Sequence, residues 1–148
     1  MAKRRIHSIG DYRQEEANAG EAGIYPGMLV KLNSSGNVIK HDVQGGFAEA
    51  AFAVEDALQG KTVSDVYANG SKVTYILPAK GSVVNALINA GENIAIGDKL
   101  ISNGDGTLVE IGAADSAGTT TEIIAIAVEA CDLSAPGAVD TLAAVRIV

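Results

Sequence analysis

The stretch that decides the fold is AGIYPGMLVKLNSSGNVIKH, residues 22–41. Gly27 opens a short apolar run in which Met28, Val30 and Leu32 alternate with Leu29 and Lys31. N-S-S-G then supplies a turn, and N-V-I-K-H resumes an extended segment. Period-two alternation on both sides of an Asn/Gly turn predicts a β-hairpin. The stretch IAIGDKLISNGDGTLVEIG, residues 94–112, repeats this plan at an offset of 70: Gly27 matches Gly97, Val30 matches Leu100, Gly36 matches Gly106 and Val38 matches Leu108. Further on, AFAVEDAL (51–58) resembles AIAVEACDL (125–133) at an offset of 74. The order hairpin, A-V-E strand, final strand thus occurs twice. It reads either as a pseudo-duplicated β unit or as two hairpins that share turn chemistry.

Outward from these hairpins the signals stay β. SKVTYILPA (71–79) puts Val73, Tyr75 and Leu77 on one face, with Pro78 ending the strand or placing it at an edge. GSVVNALI (81–88), EIIAIAVEA (122–130) and TLAAVRIV (141–148) read as further strands, and ALQGKTVSDVYANG (57–70) as a loop with one helical turn. About nine short strands between glycine turns predict an all-β barrel or sandwich. The last strands are apolar on both faces, which calls for a second layer or a neighbouring subunit. Ile124, Ile126, Val128, Ala143, Val145 and Ile147 are therefore the candidate subunit-interface residues.

The 148 residues suit one domain. Seventeen glycines, two Phe, four Tyr and no Trp describe a thin core of small aliphatic side chains broken by many turns. No apolar run reaches the length of a membrane-spanning helix, and the basic start MAKRR is followed by IHSIGDY rather than an apolar stretch, so neither membrane insertion nor a secretory leader is expected. Cys131 stands alone and reads as a small buried hydrophobe.

Charge separates the chain in two. Residues 1–13 carry Lys3, Arg4, Arg5 and Arg13 against Asp11, a net of +3, while residues 14–148 carry seven Lys or Arg against seventeen Asp or Glu, a net of −10. An acidic body repels nucleic-acid phosphates, and the basic segment lacks the interleaved aromatics that stack on bases. Residues 1–23 show no sustained period and read as an extended N-terminal arm in front of a β-barrel domain at 24–148. In that reading Lys3, Arg4, Arg5 and Arg13 steer the arm to a protein partner, while Ile6, Ile9 and Tyr12 anchor it.

Catalytic signatures are missing. No G-x-S-x-G, phosphate loop, H-E-x-x-H or C-x-x-C occurs. His41 reads as a solvated strand-end residue. Glu55, Asp56 and Glu129 are the carboxylates to watch, because each follows an apolar strand. NGDGT (103–107) offers Asn103, Asp105 and Thr107 as oxygen donors, but the calcium-loop template needs more acids and a distal Glu, so a turn is expected. No metal and no cofactor are expected.

The combination AGIYPGMLVKL, FAVEDALQGKTVSDVYANGSKV, GENIAIGDKLISNGDGTL and the closing IAVEACDL with AAVRIV resembles the capsid decoration, or cement, proteins of tailed bacteriophages, from about Gly23 to Val148. The resemblance implies a compact β-barrel or β-tulip domain without enzyme activity that forms a homotrimer. Such trimers sit on the outer surface of the expanded head, bind the major capsid protein through the N-terminal segment, and stabilise the shell against packaged DNA. It also implies synthesis in the host cytoplasm; the acidic body and the lack of a long apolar run leave no nucleic-acid or membrane partner expected. The competing reading is a glycan- or host-binding β module on a virion or cell surface, using the loops at 56–72 and 112–121. The absence of Trp and the scattered Tyr12, Tyr25, Tyr67 and Tyr75 give that reading no stacking platform.

Overall fold

The computed structural model describes residues 3–112 and 121–148, and these form an all-β protein. The first half holds β1 (His7–Ile9), β2 (Tyr12–Asn18), β3 (Val30–Leu32), β4 (Val38–Lys40), β5 (Phe52–Ala53) and β6 (Lys72–Pro78), with a single 3-10 turn at Ala57–Gln59. The second half holds β7 (Val83–Ile88), β8 (Asn93–Ile94), β9 (Lys99–Ser102), β10 (Leu108–Glu110), β11 (Ala125–Ala127), β12 (Cys131–Asp132) and β13 (Thr141–Ile147). The polar loop expected at 112–121 lies, but for its end residues, outside the described residues.

Strands β7, β10, β9, β11 and β13 form a closed five-stranded barrel, because β13 pairs back onto β7 from Thr141↔Ile88 to Arg146↔Val83. The first half repeats the plan. β2 pairs β6, β6 pairs β5, Leu29 bridges Phe52 ahead of β3, β3 pairs β4, and Ala19 bridges Val38 in parallel to return to the end of β2. The registers of the two halves match, at the offsets of 70 and 74 read from the sequence and at 69 for the strand the sequence did not mark, β2. Val30↔Lys40 becomes Leu100↔Glu110, Ala53↔Tyr75 becomes Ala127↔Val145, and the closing Ala19↔Val38 becomes Ile88↔Leu108. Even the outlying Ile24↔Tyr67 bridge has its counterpart in Ile94↔Cys131. The chain is a tandem pair of small barrels, and the duplication is structural as well as sequential.

Each barrel has its own interior. Val30, Val38, Ala53, Val73 and Tyr75 fill the first, while Leu100, Leu108, Ala127, Ala143 and Val145 fill the second. The positions between them on the same strands point outward, as a two-residue period requires. In the first barrel those outward residues are Leu29, Phe52, Val54 and Ile76, and they join the second barrel's core cluster. Fully burying each of these side chains is worth roughly 1.5–3 kcal/mol. The two barrels therefore share one apolar seam.

Three expectations change here. Residues 3–23 do not form a free arm: β2 pairs with β6 over its whole length, β1 pairs with β7, and Ile6 is fully buried in the seam. β2 carries no apolar alternation because it is an edge strand with solvated side chains. His41 is buried rather than solvated, its Nδ1 2.6 Å from Ser102 Oγ and its Nε2 2.9 Å from the Phe47 carbonyl oxygen. Finally, Ile124, Ala143, Val145 and Ile147 are buried at 3% exposure or less and belong to the second barrel's own core, so this structure gives them to the fold rather than to a subunit contact. Ile126 and Val128 remain half-buried on its outer side.

Candidate functional site

The N-terminal segment lies along the seam, and carboxylates from both barrels hold it. Glu55 Oε2 accepts a hydrogen bond from the Ile6 backbone N–H at 3.2 Å, and Glu129 Oε2 pairs with Lys3 Nζ at 2.7 Å. Glu55 and Glu129 are the equivalent glutamates of the two A-V-E strands. Asn85 on β7 completes the clamp: its side-chain amide donates to the Arg5 carbonyl oxygen at 2.8 Å and its backbone N–H to the Ile6 carbonyl oxygen at 2.7 Å. Lys3, followed by the Ala144 N–H, holds the Glu129 carboxyl below the usual carboxylate range.

This clamp divides the predicted arm residues. Ile6 is consumed by the core and Lys3 by its ion pair. Arg13 pairs with Glu15 at 2.9 Å but is largely exposed. Arg4 and Arg5 are exposed, and Ile9 (65%) and Tyr12 (45%) stand out around the β1–β2 turn, with Tyr12 and His7 rings 4.3 Å apart. The structure thus brings two cations and two apolar side chains to the surface of a pinned strand.

Two concavities flank the segment. A cleft of about 690 Å3 opens beside the Lys3–Glu129 pair and is lined by Tyr25, Pro26, Met28, Leu87, Val139 and Leu142. Cys131 also lines it; burial pushes its thiol up, away from the reactive thiolate. A second groove runs between Leu32, Leu77 and the strongly exposed Phe47, with Arg13, Lys31 and Glu49 at its rim. Tyr75 forms part of its wall. Burial and its hydrogen bond to Glu15 push the Tyr75 phenol up to about 12, so it remains a donor. Sequence reasoning missed Phe47 because it sits in a Gly-Gly loop with no period.

The other suspected chemistry resolves into turns. Asp105 Oδ1 accepts from the Thr107 N–H at 3.0 Å and the Thr107 hydroxyl at 2.5 Å, and Asn103 donates to Asp105 Oδ2 at 3.2 Å. Burial opposes ionisation of Asp105, but these bonds outweigh it and lower its pKa. Among the described residues no group of three or more His, Cys, Asp or Glu is placed to hold a metal ion.

No protein-family model matches this chain, and no curated protein matches its sequence. The fold has a solved counterpart. The chain is similar to the head fiber gp8.5 N base of bacteriophage phi29, with a TM-score of 0.56 over 93% of this chain and 95% of that one. The two are 14% identical in sequence, so the likeness is one of fold. It spans both barrels of this chain rather than one.

Proposed function

We propose that the protein is a structural component of a phage head: a decoration protein that binds the outside of the expanded shell as a trimer and stabilises it against packaged DNA. The observation that carries this reading is the likeness over nearly the full length to a head-fiber base, which shares the two-barrel extent of this chain. The sequence resemblance to cement proteins points to the same place on the virion.

The pinned N-terminal strand supplies the contact with the major capsid protein. Arg4 and Arg5 provide steering charge against an otherwise acidic body, and Ile9 and Tyr12 provide the apolar footprint. Each contact needs only modest strength, because a trimer engages three sites at once. Binding only the expanded shell shifts the expansion equilibrium toward it by mass action.

The test is co-sedimentation with bare expanded heads. Removing residues 1–20 is not a clean variant, since it deletes β2 and Ile6 from the fold. Arg4→Glu/Arg5→Glu keeps both barrels intact. It is expected to pellet at least tenfold less protein than wild type at matched concentration, and equal pelleting would remove the segment from the contact.

A further inference from the structure

The duplication gives every surface of one barrel a counterpart on the other, and one pair of counterparts is unequally covered. On the second barrel, the outer edge of β7 is occupied. β1 pairs with it at Val84, the Asn85 N–H donates to the Ile6 carbonyl oxygen, and the Leu87 N–H donates to the Gly27 carbonyl oxygen at 2.9 Å. The equivalent edge on the first barrel is that of β2, where Glu16 matches Asn85 and Asn18 matches Leu87. β2 ends its sheet order with β6 as its neighbour, and Tyr12, Gln14, Glu16 and Asn18 are exposed.

The complementary face shows the same asymmetry. In the first barrel Gly27, Leu29, Phe52 and Ile76 press against the second barrel. Their counterparts Gly97, Lys99, Ile126 and Arg146 lie on the outer side of the second barrel, and among the described residues they are less covered: Gly97, Lys99 and Arg146 are exposed and Ile126 is half-buried. The two glycines measure the difference. A Cβ on Gly27 would lie 2.4 Å from Leu142 Cδ2, whereas one on Gly97 would meet nothing within 4 Å. Ile96, beside Gly97, is 71% exposed.

We infer that these two open faces fit each other between copies: the Ile96–Lys99 turn and Ile126 of one protomer's second barrel dock on the β2 edge of the next protomer's first barrel. The occupant is a second copy of this chain, because the chain already makes this contact once within itself. Charge agrees. Leu142 stands against Gly27 in the internal contact, and its counterpart is Lys72, which this docking brings against Gly97 and Asp98 of the neighbour. Where the internal seam is apolar and permanent, the external one carries Glu16 and Lys72 on one side and Asp98, Lys99 and Arg146 on the other, as suits a surface that must be soluble before assembly. The contact joins unlike faces, so it propagates head to tail, into a ring where its rotation closes and into a filament where it does not; the ring is the form we infer. In the trimer proposed above, six barrels would then have like neighbours. Only the number three rests on that reading, and the contact itself is tested in solution without heads.

The test is cross-linking of the full chain in a Cys131→Ser background with a short bis-maleimide. Asn18→Cys/Ile96→Cys is expected to give covalent dimers and a ladder that stops at a closed species, while either cysteine alone gives monomer. In parallel, Lys72→Glu, a surface change that spares both cores, is expected to weaken self-association about tenfold in sedimentation equilibrium. Cross-linking by Asn18→Cys alone would mean that β2 pairs with β2 across a two-fold and would overturn the inference. So would an Asn18→Cys/Ile96→Cys chain that stays monomeric.

Discussion

Asn85 is the residue on which the N-terminal segment turns. It is buried at 8% exposure, and both its amide groups face the backbone of Arg5 and Ile6. Asn85→Ala keeps the strand but removes the side-chain donor, leaving the Arg5 carbonyl to find water. A loss of about 1 kcal/mol in urea unfolding is expected, with faster amide exchange over residues 5–9 and unchanged exchange in β9–β11. The Lys3–Glu129 pair adds a pH dependence. The folded-state pKa of Glu129 is depressed, so its contribution is fully present above the usual carboxyl value of 4.5 and is lost as pH falls through the lower folded value. Amide exchange of the segment, corrected for intrinsic rates, is expected to rise below that point in wild type and to lose the step in Lys3→Ala. Nothing in the sequence marks Asn85 for this role: it interrupts an apolar strand, and the partner it serves is eighty positions away.

At the scale of strands, the same position of the repeated unit has opposite fates. Phe52 is fully buried in the seam, and its counterpart Ile126 lies half-buried on the outside. Phe52→Ala is expected to cost about 3–5 kcal/mol, and Ile126→Ala under about 1 kcal/mol in the monomer, both read by chemical denaturation. Reversal of that order would mean the seam has been misplaced. The two hairpins were legible in the sequence because strand alternation and glycine turns are local, and the offset of 70 carried into the registers unchanged. β2 was not legible. Y-R-Q-E-E-A-N has neither apolar period nor turn residue, and it is held by backbone bonds to β6 that any sequence can make. Ile6 was misread for a related reason: a single large aliphatic among charges looks like an exposed anchor until the fold places a groove around it. Ile126 and Ala127 are neighbours in one apolar run, and only the pleat separates the outer Ile126 from the buried Ala127.

The described residues form two barrels, each with its own interior, joined along one apolar seam and strapped by the N-terminal segment. Among the described residues its surface carries exposed apolar side chains such as Ile9, Phe47 and Ile96. The fold likeness to a phage head-fiber base covers 93% of this chain, and residues 1–13 are net basic in sequence against a net acidic remainder. The measurement that bears most directly on the proposed decoration role is quantitative pelleting of the wild-type protein with bare tailed-phage heads, in expanded and unexpanded form. Saturable binding to expanded heads, in multiples of three copies per site, and none to unexpanded ones is the predicted result. Equal binding to both forms, or none to either, would contradict it.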